Sequence, residues 1–219
     1  MVDKIVVIGA GGVVGGGIAS CLRQMGRNVV TVSARRVTSL GGSSIDGVVS
    51  SVASESMSHE KSNFALGLIL AHRYRGDDPF QAMRIEFLVT RDLTWALSKV
   101  VSNLRVVVVG SVTGALVCED LPEAYHYSKD IQKSITRQSC RLRNVQMNVL
   151  ELSCFEKHPQ DIQTPEYMAA MSSIRRQIGY SNLPSIADIS NFIDQLMSAS
   201  KNPRGQVISF DGGYSILQK

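Results

Sequence analysis

The chain has 219 residues and a formal net charge of +4; 44% of its residues are hydrophobic, 19% charged and 6% aromatic. That length suits one domain able to bury a core without disulfide or metal staples, and the composition is that of a folded globular protein. The apolar runs, such as Leu66 to Ala71 and Val106 to Val109, are far too short to span a bilayer, so no membrane partner is expected.

Other function classes fall away on the same grounds. Arg137, Arg141 and Arg143 read as a solvated helix face, and aromatics are too few to interleave with a basic patch, so nucleic acid is not an expected partner. Cys21, Cys118, Cys140 and Cys154 are scattered without ligand spacing, which argues against zinc, any other bound metal and a disulfide framework. The N-terminus enters an apolar run directly, with no basic segment and cleavage site. It predicts no export signal and a cytoplasmic location.

In chain order, Ile5 to Ile8 reads as a strand, followed by glycines and a helix over Ile18 to Met25 that Gly26 ends. Val29 to Val32 is the second strand. Thr38 to Asn63 is rich in Ser and Gly and shows little periodicity. Phe64 to Ala71 is a strand apolar along its whole length. Pro79 to Val101 reads as one long helix, Leu104 to Val109 as a strand, Tyr125 to Arg141 as a helix and Val145 to Leu150 as a strand. A helix over Ile186 to Met197 and a strand over Val207 to Phe210 complete the pattern. Strands that alternate with helices and are apolar throughout predict a Rossmann-type doubly wound α/β fold. Its parallel sheet would have six or seven strands with helices on both faces, as a single domain over residues 1–219.

The first strand and helix are joined by Gly9-Ala10-Gly11-Gly12-Val13-Val14-Gly15-Gly16-Gly17. Glycines there permit a tight turn and close approach to a pyrophosphate, and the helix N-terminus offers unpaired N–H groups to the anion. The GxGxxG spacing fails at Val14; a GxxGxxG spacing is met by Gly9, Gly12 and Gly15. Gly9, Gly12, Val13, Val14 and Gly15 are therefore the expected phosphate-loop residues. An acid at the end of the second strand would read a free ribose 2′-hydroxyl. This chain has Ser33 followed by Arg35 and Arg36, a set that accommodates a 2′-phosphate and favours NADP(H), with NAD(H) as the alternative.

Tyr125 and Lys129 stand one helical turn apart, on one face. A phenol is a poor acid or base near neutrality, and a neighbouring ammonium draws it toward the working range. Ser111 follows the buried Val106 to Val109 run, fourteen residues before Tyr125, at the sheet edge where ligands of open α/β sheets bind. Ser111 can donate to a substrate carbonyl while Tyr125 gives up its proton.

With the glycine turn, Gly110-Ser111-Val112-Thr113-Gly114, Tyr125-His126-Tyr127-Ser128-Lys129 and the terminal Gly205-Gln206-Val207-Ile208-Ser209-Phe210-Asp211-Gly212-Gly213-Tyr214 in this order, the chain resembles the short-chain dehydrogenases/reductases over nearly its whole length. The resemblance implies reversible oxidation of an alcohol to a ketone or aldehyde by NAD(P), without metal. It implies Tyr125 as acid/base, Lys129 as the residue that tunes it and binds the nicotinamide ribose, and Ser111 as the group that orients the carbonyl. It also implies a homodimer or homotetramer built on the two long helices.

The departures mark a divergent member. The family's Asn-Asn-Ala-Gly is replaced by Ala71-His72-Arg73-Tyr74-Arg75-Gly76, the helix asparagine that supports a proton relay by Glu86, and a Pro-Gly pair by Leu152-Ser153. Ala71 and His72 are expected beside the cofactor. Arg73, Arg75, Glu86 and His126 are candidates for contact with a polar or anionic carbonyl substrate. His158, beside Pro159, is expected in a loop over the substrate rather than in the chemistry. Two other readings stay open: a nucleotide-sugar epimerase or dehydratase, which shares the GxxGxxG spacing, and an NADP-binding regulator without turnover.

Overall fold

The computed structural model describes residues 2–34, 37, 42–58, 64–72, 76–111, 122–152, 184–199 and 203–210. Among these residues, six parallel strands form one sheet: β1 (Lys4–Ile8), β2 (Val29–Val32), β3 (Ala65–Leu70), β4 (Asn103–Ser111), β5 (Val145–Leu152) and β6 (Val207–Ser209). Their spatial order is β2-β1-β3-β4-β5-β6, and every neighbouring pair is parallel. The order reverses between β1 and β3, so the carboxyl ends of those two strands flank the crevice where such sheets take ligands.

Side chains alternate along the strands between two apolar layers. Val6, Ile8, Leu68 and Val106 face one core with Val89, Leu93 and Ile135; Ile5, Val7, Ile69 and Val107 face the other with Ile18, Leu22 and Ile193. The second layer is covered by α1 (Val13–Gln24) and the last helix, Ile186–Ser198. Burial on both faces is why these strands read as unbroken apolar runs.

The first layer is covered by α2 (Gly42–Ser58), α3 (Pro79–Glu86), α4 (Leu93–Ser98) and α5 (Glu123–Gln138). Helix α2 lies inside the stretch that shows little periodicity, and its Ile45, Val48, Val49 and Val52 stand at i, i+3, i+4 and i+7 toward that core. The expected long helix from Pro79 is α3 and α4 joined by a π-helical turn over Phe87–Asp92. Asp78 caps α3, accepting from the N–H groups of Phe80 and Gln81, and Pro79 occupies its first turn. Gly26, with φ of 78°, closes α1 as its sequence position requires.

The last helix, α6 (Ile186–Ser198), opens with a reciprocal Ser185/Asp188 capping box. Arg105 from β4 donates to the carbonyls of Met197 and Ala199 at its far end. The Arg27 guanidinium bonds both carboxylate oxygens of Asp194, at 2.7 and 2.6 Å, tying the turn after α1 to α6. No helix among the described residues is long and apolar enough to cross a membrane.

Candidate active site

The glycine turn leaves the carboxyl end of β1 between β2 and β3. Gly9 donates to the carbonyl of Val32, and Ala71 donates to that of Ile8, both at 2.9 Å. Gly9 has φ of 91°, and a Cβ there would stand 2.5 Å from the Ala71 carbonyl oxygen. A Cβ on Gly15 would stand 2.5 Å from the Gly9 carbonyl oxygen. These two positions need glycine for the fold itself.

Gly12 differs: its Cβ would meet nothing closer than 3.5 Å, and one on Gly11 nothing within 4 Å. The space over Gly11 and Gly12 lies at the start of α1. Gly12 is the N-cap, no side chain caps that end, and no acid occupies the first turn. The N-terminus thus combines uncapped donors, a positive dipole end and room for a close approach, and it fits a pyrophosphate. Val13 is half exposed there and Val14 partly buried. Ser33 follows β2 and is exposed, while Arg35 and Arg36 lie outside the described residues.

Ser111 is the last residue of β4 and is buried. Tyr125 sits in the first turn of α5, its N–H bonded to the carbonyl of Pro122. One turn on, Lys129 is 4% exposed and its Nζ lies 5.6 Å from the centre of the Tyr125 ring. That ammonium donates to the Val109 carbonyl at 3.3 Å and to Gln132 Oε1 at 3.2 Å. Val109 precedes Ser111 by two residues on β4, so Lys129 ties the helix that carries Tyr125 to the strand end that carries Ser111. His126 packs edge-on to Tyr125, ring centres 6.2 Å apart.

No family model and no curated protein matches this sequence. Solved structures do. The chain superposes on the NADH complex of a 3-alpha-hydroxysteroid dehydrogenase from Pseudomonas sp. B-0831 with a TM-score of 0.72 at 16% identity, over 99% of this chain and 98% of that one. A short-chain dehydrogenase/reductase from Brucella melitensis matches with a TM-score of 0.70 at 19% identity, over 98% and 97%. The angucycline C-6 ketoreductase LanV with bound NADP matches with 0.71 at 15%, over 98% and 96%. The chain has the short-chain dehydrogenase/reductase fold.

A buried cluster surrounds Glu86. Glu86, expected to face a substrate, is fully enclosed, and its oxygens are engaged inside the molecule. Its Oε1 accepts from Ser128 Oγ at 2.6 Å; its Oε2 accepts from Thr90 Oγ1 at 2.7 Å and lies 2.9 Å from His72 Nε2. Burial pushes the carboxyl up, but the charge and hydrogen bond of His72, the Lys129 ammonium and the Ser128 hydroxyl outweigh it and hold the group at about 2. An ionised Glu86 can only accept, so Nε2 of His72 carries the proton. His72 Nδ1 has no hydrogen-bond partner among the described residues.

Ala71 and His72 both lie beside the glycine turn. Arg73, Arg75 and His158 lie outside the described residues. Ser128 and Thr90 escaped the sequence reading. Ser128 stands inside the Tyr-to-Lys turn, and Thr90 is four residues beyond Glu86, a spacing that puts both on one helix face.

Proposed function

We propose that this protein is a nicotinamide-dependent oxidoreductase that interconverts an alcohol and a ketone or aldehyde. The observation that carries the reading is the buried Lys129 ammonium, held under the Tyr125 ring and against the strand that ends in Ser111. A bound nicotinamide supplies or accepts the hydride. Ser111 donates a hydrogen bond to the substrate oxygen and fixes its distance from the phenol. In the reducing direction, the Tyr125 hydroxyl gives its proton to that oxygen, and the Lys129 charge stabilises the phenolate left behind. Lys129 also binds the nicotinamide ribose.

The dinucleotide's pyrophosphate would rest on the N–H groups of residues 13–15, with Gly9, Ala71 and His72 beside it. Ser33 with Arg35 and Arg36 favours the 2′-phosphate of NADP(H). Arg73 and Arg75 favour a polar or anionic carbonyl compound, with His126 in the wall of its site. The apolar exposure of Phe80 and Met83 on α3, and of Tyr127 on the adjoining α5, supports a homo-oligomer built on those helices. A cytoplasmic location accords with a cofactor of the cell interior.

The test is consumption of NADPH with a panel of ketones and aldehydes, abolished by Tyr125→Phe. Binding of NADPH without turnover across the panel, unaffected by that change, would overturn the enzymatic reading. A preference of about tenfold or more for NADH, roughly 1.4 kcal/mol, would overturn the choice of NADP(H).

A further inference from the structure

Three side chains from three places in the fold converge on the carboxylate of Glu86, which the proposed chemistry does not use. His72 follows β3 beside the glycine turn. Glu86 ends α3 and Thr90 lies in the π-helical turn that follows it. Ser128 lies on α5 between Tyr125 and Lys129. Glu86, Thr90 and Ser128 are wholly buried, and His72 is 5% exposed. Three donors share the two oxygens of Glu86, at 2.6 to 2.9 Å.

These contacts bear on what Glu86 can do. A relay residue must take and release a proton near neutral pH. Glu86 instead stays ionised far below that range, because its charge is matched by donors and by the facing Lys129 ammonium. It is a fixed anion. Hydrogen bonds to a buried charge are strong, and losing one leaves part of that charge uncompensated. The bond from Ser128 therefore resists rotation of α5 about its axis. Ser128 follows Tyr125 by three residues and precedes Lys129 by one, so the same rotation sets both. π-Helical turns recur where a helix must aim particular side chains, and this one starts immediately after Glu86.

We propose that Glu86 is a positioning residue for the Tyr125–Lys129 pair, acting through Ser128, with His72 linking the same anion to the β3 edge beside the glycine turn. The proposal rests on the reading of Lys129 as a ligand of the nicotinamide ribose. It requires that loss of the tie disturb the nicotinamide end of the site and spare the adenosine end.

Three variants of the full chain test it: Ser128→Ala, Glu86→Gln and the double variant. The probes are NADPH, followed by its fluorescence, and adenosine 2′,5′-bisphosphate, which ends short of the nicotinamide ribose. Each single variant is expected to weaken NADPH binding about five- to tenfold and bisphosphate binding less than about twofold, and the double variant to be no worse than the poorer single one. With any carbonyl compound the wild type reduces, kcat should fall about tenfold or more while KM for that compound moves less than about threefold.

Ser128→Ala removes one donor and leaves those of Thr90 and His72, so it decides the matter by itself if Glu86→Gln fails to fold. NADPH and the bisphosphate weakening together would show a merely structural cluster and overturn the proposal. Unchanged NADPH binding and kcat in Ser128→Ala would also overturn it, with the oxidoreductase reading intact. A wild type that binds neither NADPH nor NADH would overturn the reading and the proposal together.

Discussion

An ammonium group enclosed as tightly as that of Lys129 must be given acceptors, and it has two, the Val109 carbonyl and Gln132 Oε1. The chain spends buried polar groups to keep a charge at one fixed place beside a phenol. On the proposed chemistry, Tyr125→Phe keeps the ring and its packing but has no proton to give. It should lower kcat by about a hundredfold or more with NADPH affinity nearly unchanged, read by steady-state kinetics and a fluorescence titration. The Glu86 carboxyl makes a prediction that needs no substrate. Its folded value, about 2, lies below the ordinary 4.5 that the unfolded chain restores. As the pH falls, the unfolded state takes up the proton first. The stabilisation is fully present above the ordinary value and is lost as pH falls toward the folded one. Glu86→Gln has no such group to titrate. Its stability deficit against wild type in urea unfolding should be largest near about pH 6 and narrow by about pH 3. A gap that widens on acidification would contradict the assignment of Glu86 as a buried anion.

At the level of elements, the glycine turn divides by what each glycine is for. Gly9 combines a positive φ with a backbone oxygen where its Cβ would be, so Gly9→Ala should cost on the order of 2 kcal/mol or more in folding stability. Gly12→Ala places its methyl in ordinary contact and loses only glycine's advantage over alanine at an N-cap, so thermal unfolding should show stability lowered by about 1 kcal/mol or less. The same methyl enters the space that fits a pyrophosphate and should weaken NADPH binding about tenfold or more. Equal effects of the two changes on stability would refute this division. The turn was legible in the sequence because its glycines sit between an apolar strand and a helix. Gly9 and Gly15 follow from the spacing; that Gly12 is dispensable to the fold does not, since that depends on the distance to Gly9 across the turn. Helix α2 was concealed by composition: its serines and glycines read as loop, although Ile45, Val48, Val49 and Val52 carry the helical spacing. The π-helical turn has no composition of its own. Two of the partners of Glu86, His72 and Ser128, lie 14 and 42 residues away, and contacts of that range follow from how the helices dock on the sheet, not from local periodicity.

For the molecule as a whole, the two faces of the sheet are covered to different ends. On one, α1 and the turn after it lock onto α6 through the close approach of Gly17 to Ile186 and the Arg27–Asp194 pair, which leaves that layer tightly knit. On the other, α3 and α5 pack against each other, yet Phe80 is 77% exposed, Met83 39% and Tyr127 47%. A soluble monomer gains nothing from presenting those side chains to water, whereas a second copy bringing the same helices about a two-fold axis would bury them twice over. The same packing would brace α5, the helix that carries Tyr125, Ser128 and Lys129, so assembly and catalysis would share an element. Light scattering at micromolar concentration should therefore give twice or four times the mass of one chain. Phe80→Asp combined with Met83→Asp should shift it toward the monomer, because charges on both would have to be desolvated in the interface. Both positions face outward from the core, so the monomeric variant should stay folded by circular dichroism, with kcat reduced as α5 loses its support. A wild type that runs as a monomer, or a double variant that keeps its mass, would place the oligomeric surface elsewhere and leave the exposure of Phe80 to another partner.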